Sequence, residues 1–225
     1  MSLQLLIADD HEIVRRGLRA ILETRQDWTV VAEAVTGRQA IDQAREHPPD
    51  IAILDIGMPE LNGLEATRQI LKLLPQTEVL ILTMHESEQI VREVLAAGAR
   101  GYVLKSDAGR DLVAAVEALR DHRTFFSSKI SDMLLTSYLR QPERNNNSNN
   151  NEPTAEPSGR SRLTAREREI VQLLAEGKSN KEVAQMLNIS IKTAETHRTN
   201  IMNKLDLRSI TELVRYAVRN NIVEP

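Results

Sequence analysis

Short apolar runs and segments of helical periodicity alternate through residues 1–120, and this alternation leaves few folds open. The apolar runs occupy residues 3–8, 29–34, 51–54, 78–82 and 101–104. Buried strands that alternate with helices form a parallel sheet covered on both faces and joined by right-handed crossovers. We therefore predict an α/β domain with a five-stranded, parallel, doubly wound sheet. Its helices are predicted around residues 13–22 and 40–44 and over 61–74, 88–97 and 107–119, the first with Ile13, Val14, Leu18, Ile21 and Leu22 on one face.

The amino-acid composition changes at residues 142–161, which are rich in asparagine and contain no large apolar side chain. Such a segment cannot bury enough apolar surface to offset the entropy of ordering its backbone. We predict a flexible Asn-rich linker here, with an ordered surface loop as the alternative. Before the linker we predict a domain at 1–122 and a connecting helix at 123–141, whose helical pattern runs over 126–140. After the linker we predict a second domain at 162–225.

Residues 162–225 carry no strand pattern, but their helices have clear start signals. Thr164, Ser179 and Ser209 are each followed three residues later by glutamate, which is the spacing of a capping box. Ser190 is a further N-cap candidate, for a helix that runs to about residue 205. We predict an all-α domain of four helices.

Charge and composition narrow the possible partners. Residues 1–141 hold 16 Lys and Arg against 21 Asp and Glu, whereas residues 160–225 hold 12 against 8, so the second domain suits a phosphate backbone. The absence of cysteine excludes disulfides, thiolate metal sites and cysteine nucleophiles. No apolar run approaches the ~18 residues of a membrane helix, so we expect no membrane partner and a cytoplasmic location.

Polar side chains stand at the ends of four predicted strands. Asp9 and Asp10 end the first strand, Asp55 the third, Thr83 the fourth and Lys105 the fifth. In an open α/β sheet the carboxyl ends of the strands form the ligand-binding edge, so these groups are expected to converge. Each of them alone fits a helix cap or a solvated side chain, but their joint placement favours a site.

Three carboxylates in one pocket need a cation, because their repulsion otherwise raises the pKa of one of them. Hard carboxylate oxygens with room for water suit Mg²⁺. A carboxylate beside Mg²⁺ and a lysine can attack phosphorus, and both cations would stabilise the transferring phosphoryl group. The threonine hydroxyl is placed to hydrogen-bond a phosphoryl oxygen.

On these residues the first half of the chain resembles the receiver domain of response regulators. The resemblance is carried by Asp9-Asp10, Leu54 through Pro59 with Gly63, Thr83, and Gly101 through Lys105. It implies a flavodoxin-like fold with Asp55 as the phosphoacceptor. It also implies that Lys105 contacts the acyl phosphate, that Thr83 and Tyr102 form a switch pair, and that Mg²⁺ binds Asp10, Asp55 and the Gly57 backbone carbonyl, with Asp9 assisting through water.

The sequence departs from the receiver pattern at Ser106, where family members often carry a proline after a cis peptide bond. A cis bond before any other residue costs about 2.5–4 kcal/mol. We therefore expect a trans bond here and a somewhat different placement of Lys105.

The helix predicted at 190–205 has two distinct faces. Ala194, His197, Ile201 and Leu205 recur at helical spacing and are expected to face the core. The opposite face is polar, and a short turn joins this helix to the preceding one. Such a pair suits insertion of its second helix into the major groove of DNA, although many helical hairpins simply have a solvated face.

Residues 163–205 resemble the helix-turn-helix domain of LuxR-type regulators. The resemblance is carried by Leu163 through Glu167, Glu176-Gly177, Asn180 through Ala184, and Ser190 through His197 with Ile201 and Lys204-Leu205. It implies that the helix at 190–205 reads DNA and that the final helix, at 209–219, dimerises. Ala194 and Glu195 stand where family members often have valine and lysine, so base preference does not carry over. The residues expected to contact DNA are Lys192, Thr193, Glu195, Thr196, Thr199, Asn200 and Lys204.

The whole chain is thus similar to response regulators of the NarL/FixJ class. We expect a transcription factor and not an enzyme, in which a sensor histidine kinase phosphorylates Asp55 and thereby controls homodimerisation and binding to promoter DNA. The enzyme alternative is a Mg²⁺-dependent phosphohydrolase of the haloacid dehalogenase type. Such enzymes carry a second aspartate two residues after the nucleophile, where this chain has Gly57. A DNA-binding protein that works without phosphorylation is a third interpretation.

Overall fold

The computed structural model describes residues 2–84, 86–127, 130–131 and 163–223. The predicted linker at 142–161 lies outside the described residues, as does most of the helix predicted at 126–140. Within the described part of the chain, every helix is too short or too polar to cross a membrane.

The N-terminal domain is built on one sheet of parallel strands in the order β2-β1-β3-β4-β5-β6. The strands are β1 (Leu3–Ala8), β2 (Trp28–Ala34), β3 (Ile51–Asp55), β4 (Glu78–Thr83), β5 (Gly101–Leu104) and β6 (Phe125–Phe126). The predicted parallel α/β fold is confirmed.

The predicted number of strands was wrong, because the described residues form a sheet of six strands and not five. Strand β6 adds Phe125 and Phe126 to the free edge of β5, opposite Gly101 and Tyr102. Two residues are too few to show the alternation that marks a strand in a sequence. The strand also corrects the start of the connecting helix predicted at 123–141. Residues 125–126 are extended, and in this segment the described residues are helical at 130–131.

Helices cover both faces of this sheet. They are α1 (Glu12–Leu22), α2 (Gly37–Glu46), α3 (Gly63–Leu73), α4 (Glu88–Ala97) and α5 (Ala108–Arg120). Apolar side chains of α2, α3 and α4 pack on one face, and those of α1 and α5 pack on the other. This layering buries strand β3 along its whole length.

One residue of the predicted apolar face of α1 lies in solvent. Ile13 is 87% exposed, whereas Leu18 and Leu22 are buried. At 100° per residue, Ile13 lies on the far side of Val14 from Leu18 and so falls outside the apolar stripe. Its assignment to the buried face was therefore wrong.

The C-terminal domain has the predicted four helices around a separate core. They are α6 (Ala165–Ala175), α7 (Asn180–Met186), α8 (Ile191–Lys204) and α9 (Ile210–Arg219). Thr164 and Ser179 form complete capping boxes, and Ser190 caps α8. The third predicted box differs: Ser209 accepts the Glu212 N–H, but the Glu212 carboxylate accepts the N–H of Arg208, one residue earlier.

Candidate functional site

The polar site lies where the strand order reverses between β1 and β3. Their neighbouring carboxyl ends open a crevice of the kind that binds ligands in doubly wound folds. Asp9 follows β1 and Asp55 ends β3. The start of α3 approaches this edge closely: a Cβ on Gly63 would lie 2.0 Å from the Asp55 carbonyl oxygen, and the Gly63 N–H donates to the Ile56 carbonyl at 3.0 Å.

Lys105 joins the two buried carboxylates. Its Nζ lies 2.9 Å from Asp9 Oδ2 and 2.8 Å from Asp55 Oδ2. Burial lowers the pKa of Lys105, but hydrogen bonds and charge from Asp55 and Asp9 outweigh it, and the net shift is upward. The ammonium group therefore stays charged at neutral pH and partly offsets the repulsion between the carboxylates.

Asp10 and His11 complete the cluster at its solvent side. Ligand atoms of Asp9, Asp10, His11 and Asp55 all lie within 4.8 Å of one another. His11 Nδ1 is 2.8 Å from Asp10 Oδ1, and the His11 N–H donates to Asp9 Oδ1 at 2.9 Å. Sequence reasoning missed His11, although its position directly after the acidic pair, where β1 turns into α1, was an available signal.

The acidic cluster fits a hard divalent cation. Its donors are mainly carboxylate oxygens, and its solvent side leaves room for water, which Mg²⁺ tends to retain. The Gly57 carbonyl, predicted as a further ligand, belongs to the loop that follows Asp55, and Gly57 lines the same cavity as Asp10 and His11.

Helix α8 presents a polar face to solvent. Ala194 and Ile201 are buried in the domain core, as predicted, while His197 and Leu205 are partly buried. The predicted DNA-contacting residues are all exposed, but Lys204 also forms an ion pair of 2.7 Å with Glu167. These exposed residues are Lys192, Thr193, Glu195, Thr196, Thr199, Asn200 and Lys204.

The threonine hydroxyls on this face are bonded within the helix. Thr196 Oγ1 donates to the Lys192 carbonyl at 2.9 Å, and Thr199 Oγ1 donates to the Glu195 carbonyl at 3.0 Å. This leaves a methyl group and oxygen lone pairs as what each threonine offers to an approaching molecule.

Comparisons with known proteins agree with both halves of this arrangement. The family described as "Response regulator receiver domain" matches residues 5–117, and that described as "Bacterial regulatory proteins, luxR family" matches residues 161–217. Oxygen regulatory protein NreC of Staphylococcus epidermidis is 39% identical over 99% of this chain and 100% of its own length.

Solved structures show the same similarity. RcsB of Salmonella typhimurium aligns with a TM-score of 0.57 and 29% identity, covering 97% of this chain and 98% of RcsB. An RcsB–DNA complex aligns with a TM-score of 0.58 and 28% identity, covering 96% and 98% of the two chains. This chain is a LuxR-type response regulator. It belongs to the NarL/FixJ class, whose members are DNA-binding transcription factors.

The predicted switch residues of the response regulator lie on β4 and β5, the two strands that follow β3 in the sheet. Thr83 and Tyr102 are buried on adjacent strands, where Tyr102 pairs with Ile81 and Thr83 pairs with Leu104. Alternation along β4 places Thr83 on the same sheet face as Ile81, and so on that of Tyr102. Burial, with a smaller effect of the charge of Glu86, raises the pKa of Tyr102, so its hydroxyl stays protonated.

The trans peptide bond predicted before Ser106 is confirmed. The described residues contain no cis peptide bond, so the bond between Lys105 and Ser106 is trans. A 3₁₀ turn at Lys105–Asp107 leads directly into α5. The lysine still reaches both carboxylates from this position.

Proposed function

We propose that Asp55 of this response regulator accepts a phosphoryl group from a sensor histidine kinase, and that this modification controls dimerisation and promoter binding. The observation that carries the proposal is the position of the Asp55 carboxylate. It is buried at the end of β3 with Lys105 Nζ at 2.8 Å and a cluster of further metal-ligating groups beside it.

Asp55 supplies the nucleophile for this transfer. One of its carboxylate oxygens attacks the phosphorus of a phosphohistidine, the phosphorus–nitrogen bond breaks, and the imidazole leaves with the electron pair and takes up a proton. Lys105 stabilises the negative charge of the phosphoryl oxygens, and Asp9 holds Lys105 in place from the other side. Thr83 is the hydroxyl that hydrogen-bonds the phosphoryl group once it is attached, and Tyr102 senses this change on the neighbouring strand.

Mg²⁺ is the proposed cofactor, with Asp10, Asp55 and the Gly57 carbonyl as ligands and Asp9 acting through water. When bound, the ion supplies positive charge for the transferring group. The hard oxygen donors of the cluster support this assignment.

Helix α8 is the proposed reader of promoter DNA and α9 the proposed dimerisation helix. Lys192, at the start of α8, is assigned to a phosphate, and Thr196 and Thr199, in its middle, to base edges. A solved RcsB structure contains two dimers bound to two parallel DNAs, which supports a homodimer on DNA here. We place the protein in the cytoplasm, where its DNA partner is. We divide it into one domain at 1–122 and another at 162–225. Its own chemistry is limited to accepting and losing a phosphoryl group, so we do not regard it as an enzyme.

Asp55→Asn tests the phosphoacceptor. The amide is nearly isosteric with the carboxylate but is a poor nucleophile, so the variant should fold and gain no phosphoryl group from acetyl phosphate and Mg²⁺. Intact-mass spectrometry gives the yield. Asp42→Asn, at an exposed carboxylate of α2, is the matched control and should label fully. Labelling of the Asp55 variant at the wild-type yield would contradict the assignment.

A further inference from the structure

Helix α6 of the DNA-binding domain packs on the loop that joins β3 to α3. Gln172 of α6 is 2% exposed, and both the oxygen and the nitrogen of its amide form hydrogen bonds. Its Oε1 accepts the Asn62 N–H at 2.8 Å, while its Nε2 donates to the Met58 carbonyl at 3.0 Å and to Glu176 at 2.8 Å. One side chain thus pairs with the receiver backbone just after Gly57.

Glu176 holds a strained residue of the same loop. Glu60 has a φ of 66°, in the left-handed region that residues other than glycine rarely adopt. Its N–H donates to both carboxylate oxygens of Glu176, at 3.1 and 3.3 Å. Such a conformation persists where surrounding contacts fix it, and these contacts come from the other domain.

A second group of contacts extends the interface along α3. Gln69 Nε2 donates to Glu169 Oε1 at 2.8 Å, and Arg38 lies 3.8 Å from the same carboxylate. Glu169 is only 7% exposed. A buried carboxylate needs such partners, so these contacts favour the docked arrangement.

The docked domain also forms one wall of a cavity on the solvent side of the acidic cluster. Asp10, His11 and Gly57 line it from the receiver, and Val218, Ile222 and others line it from the DNA-binding domain. The cavity holds about 340 Å³, the volume of a sphere about 9 Å across, which accommodates a small acyl phosphate. A helix with its side chains is about 10–12 Å wide, so the helix that carries a phosphohistidine cannot enter this cavity beside the docked domain.

We propose that Gln172 and Glu176 determine which phosphodonors reach Asp55. While α6 is docked, small acyl phosphates enter the cavity, whereas a protein phosphohistidine must wait until the contact opens. This inference rests on the proposed phosphorylation of Asp55. The transfer rate from a protein donor is then its intrinsic rate multiplied by the open fraction, while the rate from a small donor hardly depends on that fraction.

The test uses the substitution Gln172→Glu in the full-length chain. It keeps the size of the side chain and the oxygen that accepts from Asn62, but it sets a second carboxylate oxygen against the Met58 carbonyl and Glu176. The lost hydrogen bonds and the new repulsion raise the open fraction, so transfer from a protein donor should become about tenfold faster or more. Labelling by acetyl phosphate should change less than about twofold, because the closed state already admits it.

Gln185→Glu makes the same change at an exposed position of α7 and should leave both rates unchanged. Glu176→Ala is the second variant, because this residue lies outside the hydrophobic core of its domain and its loss spares that core. It should act like Gln172→Glu. Circular dichroism checks that each variant is folded.

The donors are acetyl phosphate and a panel of histidine-kinase cores autophosphorylated with ATP, and intact mass or retained radiolabel reports the product. Faster labelling of both interface variants by kinase cores, with unchanged labelling by acetyl phosphate, supports the proposal. Equal kinase rates in wild type and variants, while acetyl phosphate still labels all chains, overturn it. If neither donor labels Asp55 in any chain, the proposed function fails instead.

Discussion

The charges around Asp55 show at the level of single residues why the site suits a cation. Asp9, Asp10 and Asp55 contribute three negative charges, and Lys105 offsets one of them. Two negative charges are left, and Asp9 and Asp55 are buried while Asp10 is exposed. Uncompensated charge beside buried groups is costly. One divalent ion balances them, which makes this donor set suit Mg²⁺ better than a monovalent ion.

Asp10→Ala should weaken Mg²⁺ binding by at least about tenfold, because it removes a ligand and one of the charges that attract the ion. Titration calorimetry on the full-length protein measures the affinity. Glu12→Ala, at an exposed carboxylate of the first turn of α1, is the control and should bind as wild type does. An unchanged affinity in the Asp10 variant would exclude it as a ligand.

The connection from β3 to α3 depends on the absence of one side chain. A Cβ at Gly63 would meet the Asp55 carbonyl oxygen at 2.0 Å, a backbone atom that cannot rotate away. Gly63→Ala should therefore lower the free energy of unfolding by about 3 kcal/mol, in the range of overpacking. Urea unfolding measures it. Gly17→Ala, on an exposed turn of α1 with open space around it, should instead stabilise by about 0.5–1 kcal/mol.

Substitutions on helix α8 should have two different effects, one on the preferred DNA sequence and one on the affinity for all sites. Alanine at Thr196 or Thr199 removes the exposed methyl group and oxygen from the middle of the helix, so it should alter the preferred sequence and cost about 1–3 kcal/mol on the best site. Lys192→Ala should weaken all sites alike and reduce the salt slope by about one. Binding selections with the phosphorylated chain decide this. A shifted preference in the Lys192 variant, with none in the threonine variants, would reverse the assumed orientation.

At the scale of the whole molecule, sequence patterns predicted what local physics controls. Strand and helix alternation, cap residues and the polar strand ends each leave a short-range signal, and the predicted parallel fold and the meeting of Asp9, Asp55 and Lys105 follow from them. Strand β6 was not predicted because two residues are too few to show the alternation that marks a strand. Ile13 was misplaced because its helical angle lies well outside the apolar stripe.

The docking of the two domains left no signal of this kind. Gln172 reaches the backbone of Met58 and Asn62, more than a hundred positions away, and any residue there would offer the same carbonyl and N–H groups. The glutamine itself is read in the sequence as one polar residue of an amphipathic helix. Its role becomes visible only when the three-dimensional arrangement shows that it is buried.

Docking should depend on pH through Glu176. In the docked chain, burial raises the pKa of this carboxyl group, against opposing hydrogen bonds from Gln172 and the Glu60 N–H and the charge of Lys178. In an undocked chain the group is solvated and keeps its ordinary pKa. At a pH between that ordinary pKa and the raised pKa of the docked chain, docking is therefore coupled to protonation of Glu176. Docking is therefore strongest below the ordinary pKa and weakens as pH rises through the raised one, above which this group has no further effect.

The radius of gyration from small-angle X-ray scattering reports this opening. It should increase in the wild-type chain as the pH rises from the ordinary pKa of a glutamate through the raised pKa of Glu176, because the docked carboxyl group loses its proton over that interval. Glu176→Gln removes the titrating group while keeping a side-chain oxygen that can accept from Glu60. Its radius should change less over the same interval, and any change that is left comes from other groups of the chain. Equal changes in the two proteins would show that those other groups, and not Glu176, control the contact between the domains.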